Sequence, residues 1–169
     1  MGTKRIGLAR FEALTENLKR EIIMGVGTSM AGARSKITTL SNAAGAIALT
    51  GGSALTEASY PSGTVFALEL AHNTNDAAIT LPALTAGLEY TFLVQTTAGT
   101  STGLIINGPG ANLKGVAVCD DNTEDISGTT ITFTDNKAIA GTKISCICDG
   151  VIWNVVIHAL CNVGEITYS

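Results

Sequence analysis

The chain has 169 residues, room for one domain and an appendage. Charged residues make up 14% of it against roughly 25% in an ordinary soluble domain, and with 46% apolar residues and a mean hydropathy of +0.34 a lone monomer would show water a bland, weakly soluble surface. The net charge of -4 divides into +4 over residues 1–36 (seven Lys/Arg, three Glu) and -8 over residues 37–169 (three Lys, eleven Asp/Glu), which fits a basic arm with an acidic or anionic partner, or an ordinary charged helix, ahead of an acidic body.

The first predicted element is an amphipathic helix over residues 6–24, within a basic segment 1–24. Leu8, Phe11, Leu14, Leu18 and Ile22 fall within an arc of roughly 120° at 100° per residue. Glu16 and Arg20 form an i,i+4 pair on the other side, and Gly25 and Gly27 supply the stop. Two heptads of stripe are too short for a free coiled coil, so this seam must pack on something. Residues 25–63 are rich in Gly, Ala, Ser and Thr and read as a linker or extended arm that becomes strand-like. Strand candidates within it are 37–40 and 46–50, with Gly51-Gly52-Ser53 as a turn or joint. Asn42-Ala43-Ala44 and Asn75-Asp76-Ala77-Ala78 echo one another, too briefly to make a repeat.

From residue 64 the hydrophobic period is two. Strands are predicted at 64–70, 77–81, 90–96, 103–107, 113–119, 129–134, 143–148, 151–158 and 165–168. Thr130-Ile131-Thr132-Phe133-Thr134 alternates throughout, with Thr outward. Asp149-Gly150 between two apolar runs is the strongest hairpin signal, and Asn107-Gly108-Pro109-Gly110 is a turn. Short strands at this spacing predict a mainly β fold, an antiparallel sandwich of jelly-roll type over residues 64–169. Tyr90, Phe92, Phe133 and Trp153 are its candidate core or interface residues.

Chemistry-bearing motifs are sparse. His72 and His158 are the only histidines, and no G-x-S-x-G is present, since Gly27-Thr28-Ser29-Met30-Ala31 lacks the last Gly. Asp120-Asp121-Asn122-Thr123-Glu124-Asp125 is acidic enough to suggest calcium, yet Asp125 stands where the EF-hand loop needs Gly, so a solvated loop is expected. Neither Gly25-x-Gly27 nor Gly108-x-Gly110 follows a strand and opens a helix, so no phosphate cradle is expected. The body carries only Lys114, Lys137 and Lys143, which argues against nucleic acid as a partner. Cys119, Cys146, Cys148 and Cys161 fit no C-x-x-C pattern and read as free, partly buried thiols of a protein made in a reducing cytosol. No apolar run of about 7–15 residues follows Lys4 and Arg5, so no signal peptide is expected, and no run reaches the ~18 apolar residues of a membrane span. No catalytic, cofactor or metal site is expected.

The ordered series Leu81-Pro82, Gly87 with Tyr90 and Phe92, a Thr/Gly-rich turn at 96–103, Leu104-Ile105-Ile106 with Gly108, Lys114-Gly115-Val116, and Gly150 with Trp153 and Val155 resembles a β-domain of tailed-phage virion proteins. These are capsid decoration (cement) proteins, head fibres and tail-fibre modules. The opening Gly2-Thr3-Lys4-Arg5-Ile6-Gly7-Leu8-Ala9-Arg10 is similar to starts of marine-phage virion proteins. The resemblance implies a non-enzymatic homotrimer on the outside of a capsid, made in the host cytoplasm, with the major capsid protein as partner and no cofactor. Lys4, Arg5, Arg10, Lys19 and Arg20 are then the candidate capsid-binding arm, and Leu8, Phe11, Leu14, Leu18 and Ile22 its apolar seam. The four cysteines depart from the pattern. The alternative is a host-receptor or glycan-binding fibre module, with Trp153 and Tyr90 as a sugar platform.

Overall fold

Alternating Val, Ile, Leu, Thr and aromatic residues build twelve strands among the residues that the computed structural model describes, 37–41, 53–72 and 76–169. They are β1 (Ile37–Ser41), β2 (Ser53–Ala54), β3 (Thr64–Glu69), β4 (Ala77–Thr80), β5 (Glu89–Thr96), β6 (Leu104–Asn107), β7 (Leu113–Val118), β8 (Thr123–Gly128), β9 (Thr130–Phe133), β10 (Lys143–Cys148), β11 (Trp153–His158) and β12 (Ile166–Tyr168). All belong to a compact unit spanning Ile37–Ser169, and its described residues contain no helix. The helix expected over 6–24, its five apolar seam positions and the five basic positions of the arm 1–24 lie outside the described residues, as does the strand candidate 46–50.

The strands form a seven-stranded sheet, order β1-β3-β5-β10-β11-β7-β8, and a five-stranded sheet, order β12-β9-β6-β4-β2. The chain alternates between them at first. β1, β3 and β5 stack parallel in one sheet while β2, β4 and β6 stack parallel in the other. Ile37 pairs with Val65 and Val65 with Thr91, steps of 28 and 26 residues. Ser53 pairs with Ile79 and Ile79 with Ile106, steps of 26 and 27. The first half of the body is thus a coil of nearly constant pitch, and each crossover between parallel strands runs through a strand of the opposite sheet. From β8 onward antiparallel pairs join in, β8 on β7, β9 on β6, β10 on β5, β11 on β10 and β12 on β9, while β11 lies parallel to β7 on its other side.

This corrects the expected antiparallel jelly roll. Period-two alternation shows that a segment is a strand with one buried face, and is blind to the direction of its neighbour. Two further expectations change. Ser53, expected in a turn or joint, opens strand β2, and the acidic run at 120–125 is a loop only as far as Asn122, after which Thr123 opens β8. Strand β8 escapes the alternation because Ile126 is its one fully buried residue.

One continuous core fills the space between the sheets. Parallel register stacks like on like: Leu40 beside Leu68 and Leu68 beside Val94, Phe66 beside Phe92, Ile79 beside Ile106. The aromatic series runs from Tyr60 edge-on to Phe66 (5.1 Å between ring centres), through Tyr90, to Trp153 (6.0 Å from Tyr90). Tyr90, Phe92, Phe133 and Trp153 are fully buried. The polar ends of two of them find partners, Tyr90 Oη donating to the Tyr60 carbonyl (2.8 Å) and Trp153 Nε1 to the Pro82 carbonyl (3.2 Å). At the Asp149-Gly150 hairpin the Asp149 carboxylate accepts the amides of Val151 and Ile152, both at 2.8 Å, with Gly150 at φ +96°.

Candidate assembly surface

Every second residue of the seven-stranded sheet points away from the core. The register aligns these outward residues into rows across the strands. One row reads Ile37, Val65, Thr91, Ser145, Val156, Val116 and Asp125 from β1 to β8. Six of its seven members are uncharged. The next row carries Thr39, Ala67, Leu93, Lys143, His158, Val118 and Thr123, and Ile147 stands on the other side beside Glu89 and Asn154. Ile37 is 66% exposed, Ile147 49% and Val156 39%, while Val65, Leu93, Val116 and Val118 are half-buried and Ala67 is buried. Carboxylates are kept to the margins, at Asp125, Glu69 and Glu89. Such a low-charge strip, apolar at Ile37 and Val65 and again at Val156 and Val116 with Thr91 and Ser145 between them, suits the centre of a buried protein–protein contact.

The outer face of the five-stranded sheet is different in kind. Ala78, Thr80, Ile105, Asn107, Thr130 and Thr132 line it, all half-buried. A shallow recess of about 470 Å³ opens there, lined by Asp76, Gly103, Ile105, Thr132, Phe133, Thr134 and Asp135. The Asp76 carboxylate accepts the Gly103 amide at 2.8 Å and so serves the backbone. Gly103 is required at the recess floor, since a Cβ there would lie 2.3 Å from the Phe133 carbonyl oxygen. Neither His72 nor His158 lines the recess, and His158 stands exposed at the end of β11. Among the described residues no group of three or more His, Cys, Asp or Glu side chains is placed to hold a metal ion.

The acidic run divides by role. Asp121 accepts the Val163 amide at 2.8 Å, Asp125 faces solvent, and Glu124 turns toward Tyr168, whose phenol is pushed up by burial and by that carboxylate. Glu165 is held below its usual value by Lys137, with which it forms an ion pair, and by the Asn162 amide. The five largest aromatic side chains of the core, Trp153 and Tyr90 among them, are sealed from solvent, so neither offers a sugar platform. No protein-family model matches the chain, and no curated protein matches it either.

The outward row at Ile37, Val65, Val116 and Val156 was beyond sequence reasoning as a patch. Alternation puts each residue on an outer face, but only the strand order sets β1 beside β3 and β11 beside β7 in one sheet, with Thr91 and Ser145 of β5 and β10 between the two pairs.

Proposed function

We propose that the protein is a structural component of a tailed-phage virion, a homotrimeric capsid decoration (cement) protein that binds the outer surface of the head, stabilises it and catalyses no reaction. The observation that carries this reading is the apolar outer strip of the seven-stranded sheet, with Ile37, Ile147 and Val156 exposed on a body of net charge -8. Three such strips turned toward a common axis remove the apolar surface from water, and symmetry repeats each modest contact three times. The basic segment 1–24 is the contact to the major capsid protein, through Lys4, Arg5, Arg10, Lys19 and Arg20 and the seam Leu8, Phe11, Leu14, Leu18 and Ile22. A protein that binds the assembled lattice and not its loose subunits stabilises the shell by mass action. Gel filtration with light scattering, and cosedimentation with emptied heads, test the reading together. A trimer that cosediments supports it. A monodisperse monomer at micromolar concentration counts against the assembly surface, and a trimer that ignores capsids counts against the virion role.

The second reading, a host-receptor or glycan-binding fibre module, draws on the recess at Asp76 and Asp135. It lacks an exposed aromatic ring among the described residues, because five of the seven there are fully buried and Tyr60 and Tyr168 are half-buried. A glycan array separates the two readings.

A further inference from the structure

Cys119 and Cys161 are 42 positions apart in the chain and adjacent in space. Strands β7 and β11 run parallel, with Val118 opposite His158, and the pairing continues past both strand ends: the Ala159 amide donates to the Val118 carbonyl (2.9 Å) and the Asp120 amide to the Cys161 carbonyl (3.1 Å). The loops that follow are tied down as well, by the Cys119 amide on the Asn122 carbonyl (2.8 Å) and the Val163 amide on the Asp121 carboxylate. Between these fixed backbones the two thiols face and interact with one another. Cys119 is 7% exposed and Cys161 2%.

We propose that Cys119 and Cys161 are an oxidisable pair whose disulfide joins the ends of β7 and β11 within one chain. The backbone bond from Asp120 to Cys161 holds the two segments side by side, and the two thiols already interact across them. Cys146 and Cys148 differ. They lie two apart on the core face of β10, so about 6.6 Å of strand separates them, and Tyr90, Val155 and Trp153 stand opposite them in place of a partner thiol. With hydrogen peroxide as oxidant the atoms balance. The more exposed Cys119, as thiolate, attacks one peroxide oxygen and becomes a sulfenic acid with loss of hydroxide, which takes up the thiol proton to give water. The Cys161 sulfur then attacks the sulfenic sulfur, and the departing hydroxyl leaves with the Cys161 proton as a second water. Burial holds both thiols above their ordinary values, and the carboxylates that add to this are Asp121, Glu124 and Glu165 at Cys119 and Glu165 at Cys161, with the Tyr168 phenol also close by. The pair is therefore slow to react near neutrality, and its oxidation speeds up as the pH rises and the thiolate forms.

The experiment treats the folded full chain with a modest excess of hydrogen peroxide, alkylates it after denaturation, and maps peptides by mass spectrometry. The expected result is a mass lower by two hydrogens, a cross-linked Cys119–Cys161 peptide, two alkylated thiols at Cys146 and Cys148, and a Tm raised by about 5–10 °C through the loop closed in the unfolded chain. In Cys161→Ser, dimedone should trap a sulfenic acid at Cys119 without a cross-link; the wild-type peptide map decides alone if that variant does not fold. Four alkylatable thiols after oxidation, a cross-link through Cys146 or Cys148, or sulfinic acid at Cys119 in the wild type overturns the proposal.

Discussion

Phe66 on β3 and Phe92 on β5 stack almost flat, with ring centres 5.1 Å apart and 16° between their planes. They can do so because the two strands are parallel and in register, so residues 26 apart fall on the same rung of the coil. The contact links the coiled first half of the body to β10, which pairs with β5 on its other side and opposes Ile144 to Phe92.

Truncating this ladder should be costly. Phe92→Ala or Trp153→Ala removes a fully buried ring and leaves a cavity, for an expected loss of about 3–5 kcal/mol. Urea unfolding followed by Trp fluorescence measures the first variant, and circular dichroism the second. A loss under ~1 kcal/mol in Phe92→Ala would mean that the ladder is not packed as described.

Gly115 makes a separate demand on the backbone. Its φ is +154°, and an added Cβ would sit 1.8 Å from the Val155 carbonyl oxygen across the β7–β11 pair. Gly115→Ala is therefore expected to destabilise by about 2 kcal/mol or more, since the strands must separate. Gly63→Ala is the control. Gly63 has φ +84° with nothing within 4 Å of the built Cβ, so only the left-handed backbone cost of about 1–2 kcal/mol applies. The two midpoints, measured side by side, should rank Gly115→Ala below Gly63→Ala.

The apolar strip yields an assembly prediction. Val156→Asp places a charge in the row that Ile37, Val65, Val156 and Val116 share, where the side chain is 39% exposed in the single chain. The fold should survive with less than about 1 kcal/mol of loss, while the proposed trimer dissociates. Sedimentation velocity on wild type and variant reads this directly, and an unchanged sedimentation coefficient assigns the contact to another face.

Stability should fall at both ends of the pH scale. Asp149 is held below its ordinary value first by the amides of Ile152 and Val151, and Glu165 first by Lys137. A depressed carboxyl contributes its stability above its unfolded pKa, near 4, and loses it as pH falls through the folded value, so the acid limb begins below about pH 4. Burial pushes Cys161 up to about 11 and Cys146 up to about 12. A raised thiol contributes below its unfolded pKa, about 8.5, and loses it as pH climbs toward the folded value, which places the alkaline limb between about pH 9 and 11. Urea midpoints from about pH 3 to 11 should show a plateau from roughly 5 to 8. Midpoints that stay level above pH 9 would show these thiols to be solvated.

On the proposed virion role, cutting residues 1–24 should leave the β body folded and assembled while removing capsid binding. Matching circular dichroism and sedimentation, with cosedimentation lost, is the expected outcome; undiminished cosedimentation places the capsid contact on the body.

Composition and alternation by themselves determined that this chain is mainly β, where most strands lie, that Tyr90, Phe92, Phe133 and Trp153 belong among its apolar positions, and that Asp149-Gly150 turns a hairpin. These follow from local rules: a strand shows its buried face every second residue, and a turn shows the residues its dihedrals require. Strand β8 stayed hidden because an edge strand with only Ile126 buried has almost no alternation to read. Tertiary structure alone decided that β1 to β6 coil in parallel, that Ile37, Val65, Val116 and Val156 form one strip, and that Cys119 meets Cys161. Each of these depends on which strand lies beside which and in what direction, and side-chain alternation looks the same whichever way the neighbouring strand runs.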